Sequence, residues 1–114
     1  MQYMMLIHHD EAALAAAPPE FRVEYAAFNA ALDKAGFRTG ARLEGSHAAT
    51  TVRVREGKGK VVDGPYADTK EQLAGYFIAD VADLDEAIAW AQRCPSSRYG
   101  SIEIRPLWLD PGPG

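Results

Sequence analysis

Two short stretches of this chain hold the side chains able to move protons or grip charge. In residues 61–73 a turn signal, Asp63-Gly64-Pro65, is followed by Asp68, Lys70 and Glu71, all set between two apolar segments. Asp63 and Asp68 are candidate acid–base carboxylates. Lys70, Glu71 and Tyr66 are candidate contacts to a polar or anionic substrate. A purely structural use competes with each. Asp63 would close its own turn by accepting backbone N–H groups, Asp68 would cap the turn that follows, and an exposed Lys70–Glu71 pair would contribute little. The second stretch is His8-His9-Asp10, at the end of an apolar run. Neighbouring strand residues point to opposite faces, so only one of the two histidines can enter any one pocket. A histidine near a carboxylate is a general base close to neutral pH; strand-end polarity is the alternative. His9 therefore joins Asp63 and Asp68 as a catalytic candidate, and His8 joins the substrate-binding set.

Arg98 precedes the last strand, where it would clamp a carboxylate with two parallel N–H bonds or tie the loop to the sheet. Cys94 closes a helix, and a helix C-terminus disfavours a thiolate, so a structural thiol is expected. Three scattered histidines and one cysteine provide no ligand-spaced metal motif. A nucleophile triad and a phosphate-binding glycine loop are also missing, and no cofactor is expected.

The elements that must position these groups follow from periodicity. Residues 2–9 alternate Tyr3, Met5, Ile7 against Met4, Leu6, His8, and residues 73–81 alternate Leu73, Gly75, Phe77, Ala79 against Ala74, Tyr76, Ile78. Both strands carry two apolar faces. One layer of helices covers only one of them, which points to a second subunit over the other. Phe21, Tyr25, Phe28 and Leu32 recur at helical spacing between Pro19 and Gly36, and Leu84, Ala87, Ile88 and Ala91 do so after the capping residue Asp83. The alanine-rich residues 12–17 suit a short helical turn, residues 37–44 an extended piece, and residues 101–107 a last strand. Val52 and Val54 alternate with Arg53 and Arg55, a hairpin connection is expected at Gly57-Lys58-Gly59, and the basic side chains suit an exposed edge ribbon. The order is strand, helix, strands with a hairpin, strand, helix, strand. Two helices on one face of an antiparallel sheet is the ferredoxin-like α+β plan, here with an extra β-hairpin.

At 114 residues the chain makes one domain, over residues 1–108, with a frayed Pro/Gly tail at 109–114. A net charge of −4 argues against nucleic acid as a partner. No apolar run reaches the roughly 18 residues that span a bilayer. With no signal segment and no disulfide pair, a cytoplasmic location is expected.

The opening Tyr3-Met4-Met5-Leu6-Ile7, the run Thr51-Val52-Arg53-Val54-Arg55, the segment from Asp63-Gly64-Pro65-Tyr66 to Leu73, and Asp83-Leu84-Asp85-Glu86-Ala87 through Arg105-Pro106 resemble the YCII-related proteins, in particular their DGPF subgroup. Tyr66 stands where the name-giving motif has Phe. The resemblance implies a dimeric α+β barrel, two ferredoxin-like subunits packed sheet to sheet. It also brings a His–Asp dyad proposed in YCII relatives. The dyad's carboxylate matches Asp68, but its histidine lies on the first helix, where this chain has Tyr25 as the nearest residue and no histidine. A few relatives act on chlorinated or hydroxylated ring compounds, and some DGPF-type domains accompany extracytoplasmic-function sigma factors. Two functions are therefore expected in competition. One is a cofactor-free acid–base enzyme for a small cyclic or anionic compound. The other is a non-catalytic module that binds a small ligand or a regulatory partner such as a sigma factor, with Arg53, Arg55, Lys58 and Lys60 as its exposed surface.

Overall fold

Period-two alternation shapes β1 (Gln2–Asp10): Tyr3, Met5, Ile7 and His9 are buried, while Met4, Leu6, His8 and Asp10 are half-buried on the opposite face. The computed structural model describes residues 1–37 and 40–109. Asp10 ends the strand and caps α1 (Glu11–Ala15), its carboxylate accepting the N–H groups of Ala12 and Ala13 at 3.1 and 3.2 Å. After Pro18-Pro19 comes α2 (Glu20–Ala35), which stops at a left-handed Gly36. Of the extended piece expected over residues 37–44, only β2 (Gly40–Arg42) forms; Arg38 and Thr39 lie outside the described residues. The remaining elements are β3 (Thr50–Arg55), β4 (Lys58–Asp63), β5 (Glu71–Asp80), α3 (Leu84–Arg93) and β6 (Gly100–Pro106), with 3₁₀ turns at Ser46–Ala48 and Pro95–Arg98.

The main sheet has the order β2-β5-β1-β6, every pair antiparallel. With the helices packed on its inner face, this is the ferredoxin-like α+β arrangement. The core lies between sheet and helices: Met5, Ile7, Phe77, Ala79 and Val81 meet Phe28, Leu32, Ala87, Ala91 and Cys94. Phe21, Tyr25, Phe28, Phe77, Trp90 and Phe37 form a chain of edge-on and tilted ring contacts with centroids 5.2 to 6.2 Å apart, each worth about 0.5–1.5 kcal/mol beyond its area.

Four details depart from the sequence reading. The basic hairpin is a separate two-stranded sheet, not an added edge of the main one. Its turn is Glu56-Gly57, both at positive φ (53° and 75°), because a two-residue turn of this hand matches strand twist better than the longer Gly57-Lys58-Gly59 connection. The buried stripe of α3 is Ala87, Trp90 and Ala91. Leu84 and Ile88 are 49% and 38% exposed, because the face of α3 turned to the core is the one that carries Ala87, Ala91 and the large Trp90 ring. A bulge between Ile7 and His8 skips Ala74, so Leu73 pairs with His8 and leaves the alternation that Gly75, Phe77 and Ala79 keep.

Candidate functional site

The inner face of β1 ends in His9, and the 3₁₀ turn after α3 delivers Ser96 to its ring.

 In sequence His9 and Ser96 are separated by 87 positions. His9 Nε2 lies 2.5 Å from Ser96 Oγ, Ser96 Oγ lies 2.6 Å from Tyr25 Oη on α2, and Tyr25 Oη lies 3.2 Å from Cys94 Sγ. His9 is 7% exposed, and Ser96 and Cys94 are fully buried. The other ring nitrogen, His9 Nδ1, is buried without a hydrogen-bond partner among the described residues. An orphaned buried donor or acceptor costs about 1–3 kcal/mol, so such an atom calls for an explanation.

His9 lines a cleft of about 1010 Å³ between the inner face of the sheet and α2. Ile7, Gly75 and Phe77 belong to its floor strands, Phe21, Tyr25 and Phe28 to α2, and the chain from Gly40 to Gly45 closes its far side. Burial pushes the His9 imidazole below its ordinary value. The charge of Arg42 pushes the same way, against Glu11 and Glu71. His9 is thus held neutral near pH 7. Burial raises both the Tyr25 phenol and the Cys94 thiol, so these stay protonated as well.

A neutral network of this composition has two self-consistent proton arrangements. In one, His9 Nε2–H donates to Ser96, Ser96 O–H to Tyr25 and Tyr25 O–H to Cys94, leaving Nδ1 a bare acceptor. In the other, Cys94 S–H donates to Tyr25, Tyr25 to Ser96 and Ser96 to Nε2, leaving Nδ1–H a donor. The first makes Nδ1 a base and the second makes it an acid.

The other sequence candidates are placed elsewhere, and of that set only His9 lines the cleft. Asp63 closes β4 opposite Thr50 and is exposed, and Asp68 is exposed in the loop that follows. Neither takes the expected capping role: Thr51 Oγ1 donates to Gly64 O at 2.8 Å, and Gln72 Nε2 donates to the carbonyls of Ala67 and Thr69 at 2.9 Å. Lys70 Nζ reaches Asp10 at 3.6 Å while remaining 86% exposed. Glu71 accepts from Ser101 Oγ at 2.7 Å. The Tyr66 ring, exposed to solvent, lies under the Arg53 guanidinium. Arg98 pairs with Glu24 and so ties its loop to α2 rather than to the sheet. His8 is on the opposite sheet face, 3.3 Å from Glu103. Ser96 and Arg42 escaped the sequence reading, because no local spacing links them to His9. Tyr25 was marked only through the family resemblance. Among the described residues no group of three His, Cys, Asp or Glu is arranged to hold a metal, and no helix is long and apolar enough to cross a membrane.

Comparison with known proteins places this geometry in context. An uncharacterized protein of Rhizobium meliloti (strain 1021) is 46% identical over 71 residues, which cover 60% of this chain. The match spans 57% of that relative's own length. Among solved structures, 5-chloro-2-hydroxyhydroquinone dehydrochlorinase (TftG) from Burkholderia phenoliruptrix AC1100, in complex with 2,5-dihydroxybenzoquinone, superposes with a TM-score of 0.53 at 14% identity, covering 96% of each chain. That likeness is one of fold. The model of the YCII-related domain matches residues 1–109, and the chain belongs to that family.

Proposed function

We propose that this protein is a cofactor-free acid–base catalyst for a small hydroxylated ring compound, with His9 Nδ1 as the group that takes or gives the proton. The observation that carries the reading is the partnerless Nδ1 of a buried, neutral histidine lining an aromatic-walled cleft. Ser96 and Tyr25 are positioning residues: Ser96 holds the ring through Nε2, Tyr25 holds Ser96, and the direction of that chain sets the tautomer. The fold shared with a dehydrochlorinase that binds a dihydroxylated quinone supports the choice of substrate class.

The test is a panel of hydroxylated and chlorinated ring compounds, screened for binding by thermal shift. Hits are then followed by NMR for turnover and for deuterium uptake from D2O. The expected result is turnover or exchange that falls about 10²–10⁴-fold in His9→Gln, the range of general acid–base catalysis. Ligands that bind with neither turnover nor exchange would favour the ligand-binding module and overturn the enzyme reading.

The same proposal includes a homodimer. Met4, Leu6, Tyr76 and Ile78 share the sheet face away from the helices, and among the described residues none of the core cluster packs on it. Two copies packed face to face would bury that surface. Size-exclusion chromatography with light scattering should return twice the chain mass at micromolar concentration; a monomer would remove this part of the proposal.

A further inference from the structure

Arg42 ends the edge strand β2 directly opposite Gly75, and Gly75 is directly opposite Ile7 of β1. Residues paired in this way share a sheet face, so the three stand in one row on the inner surface. The middle member has no side chain. A Cβ on Gly75 would come within 2.8 Å of the Ala41 carbonyl oxygen, so the close approach of β2 requires glycine here. The result is a bare patch of floor between Arg42 on one side and Ile7 with His9 on the other.

Among the described residues the Arg42 side chain makes no hydrogen bond or ion pair, although its charge reaches both His9 and Tyr25. The acidic side chains nearby are occupied or peripheral. Glu11 accepts the backbone N–H and the hydroxyl of Ser46 at 2.9 and 2.5 Å. Glu44 is exposed at the mouth, two residues beyond Arg42.

We infer that the cleft is selective for a planar ring bearing an anionic oxygen, with that oxygen on the Arg42 guanidinium, the ring over Gly75 and a ring hydroxyl toward His9 Nδ1. The inference rests on the proposed function for the role of His9 and adds the charge and shape of what is bound. A carboxylate and a phenolate share this chemistry. A planar guanidinium grips either with parallel N–H donors, and a flat floor without a side chain suits a flat ring.

The experiment measures calorimetric affinities of the intact protein for matched probes: 2-hydroxybenzoate, its neutral amide, 2,5-dihydroxybenzoquinone as the phenolate-type acid, and cyclohexanecarboxylate as a non-planar anion. One or both planar anions should bind about 10- to 100-fold more tightly than the neutral amide, and cyclohexanecarboxylate should bind more weakly than 2-hydroxybenzoate. Which planar anion prevails separates carboxylate from phenolate. Arg42→Gln, an exposed substitution with little bearing on folding, should erase the anion preference while leaving the amide affinity within twofold. Glu44→Gln should raise anion affinity slightly. His9→Gln should keep the anion preference while losing turnover. Retention of the preference in Arg42→Gln, or its loss instead in Arg22→Gln, at the other arginine lining the cleft, would overturn the assignment to Arg42 and leave the role of His9 standing. A wild-type protein that does not prefer the anion would overturn the inference as a whole. Unchanged turnover in His9→Gln would overturn the proposed function and leave the anion site intact.

Discussion

The corner at residues 63–71 and the buried end of β1 carry comparable numbers of polar groups but in opposite physical conditions. At the corner, Asp63, Asp68 and Lys70 are exposed, and water satisfies whatever the fold does not. Around His9 the polar atoms are largely buried, and leaving one without a partner is costly. Three of the four side chains there close a chain of contacts, Tyr25 with Ser96 and Cys94, and His9 joins through one nitrogen only. Charge density along a sequence therefore says less about a site than the accounting of buried donors and acceptors does.

The contrast breaks most sharply in activity. His9→Gln should lower turnover about 10²–10⁴-fold, whereas Asp63→Asn and Asp68→Asn, outside the cleft, should stay within about twofold. A comparable loss in either aspartate variant would move the site to the corner. Stability separates the regions next. Ser96→Ala leaves His9 Nε2 without its partner and should cost about 1–3 kcal/mol in urea unfolding. Lys70→Ala, which removes an exposed ion pair, should cost less than about 0.5 kcal/mol. A Ser96→Ala protein as stable as wild type would show that the buried contacts are incidental.

The smallest effect is in pH dependence. Because the folded-state pKa of His9 is lowered from 6.5, the unfolded chain binds the proton more readily than the folded one. The stabilisation from neutral His9 is fully present above about pH 6.5 and is lost as pH falls through the lowered folded value. The carboxylates of Asp10, Glu11 and Glu103 are also lowered, but from 3.8, 4.5 and 4.5, so their contribution is lost only in more acidic solution. Thermal midpoints measured from pH 7 to 5 should decline in wild type and flatten in His9→Gln. Equal slopes would place His9 in contact with solvent, like the corner.

Much of this molecule was readable in its amino-acid sequence. The alternation of Tyr3, Met5 and Ile7, the spacing of Phe21, Tyr25, Phe28 and Leu32, the cap at Asp83 and the stop at Gly36 are local signals, and local signals determined the order and type of the elements. They also singled out His9, since a histidine continuing an apolar strand face is a local pattern. Tertiary structure decided what His9 touches. Ser96 contacts it through the docking of the turn after α3, and strand pairing brings the charge of Arg42 within range of it, relations between residues far apart in the chain that no spacing encodes. It also decided which polar groups are buried, and so which of them lacks a partner among the described residues.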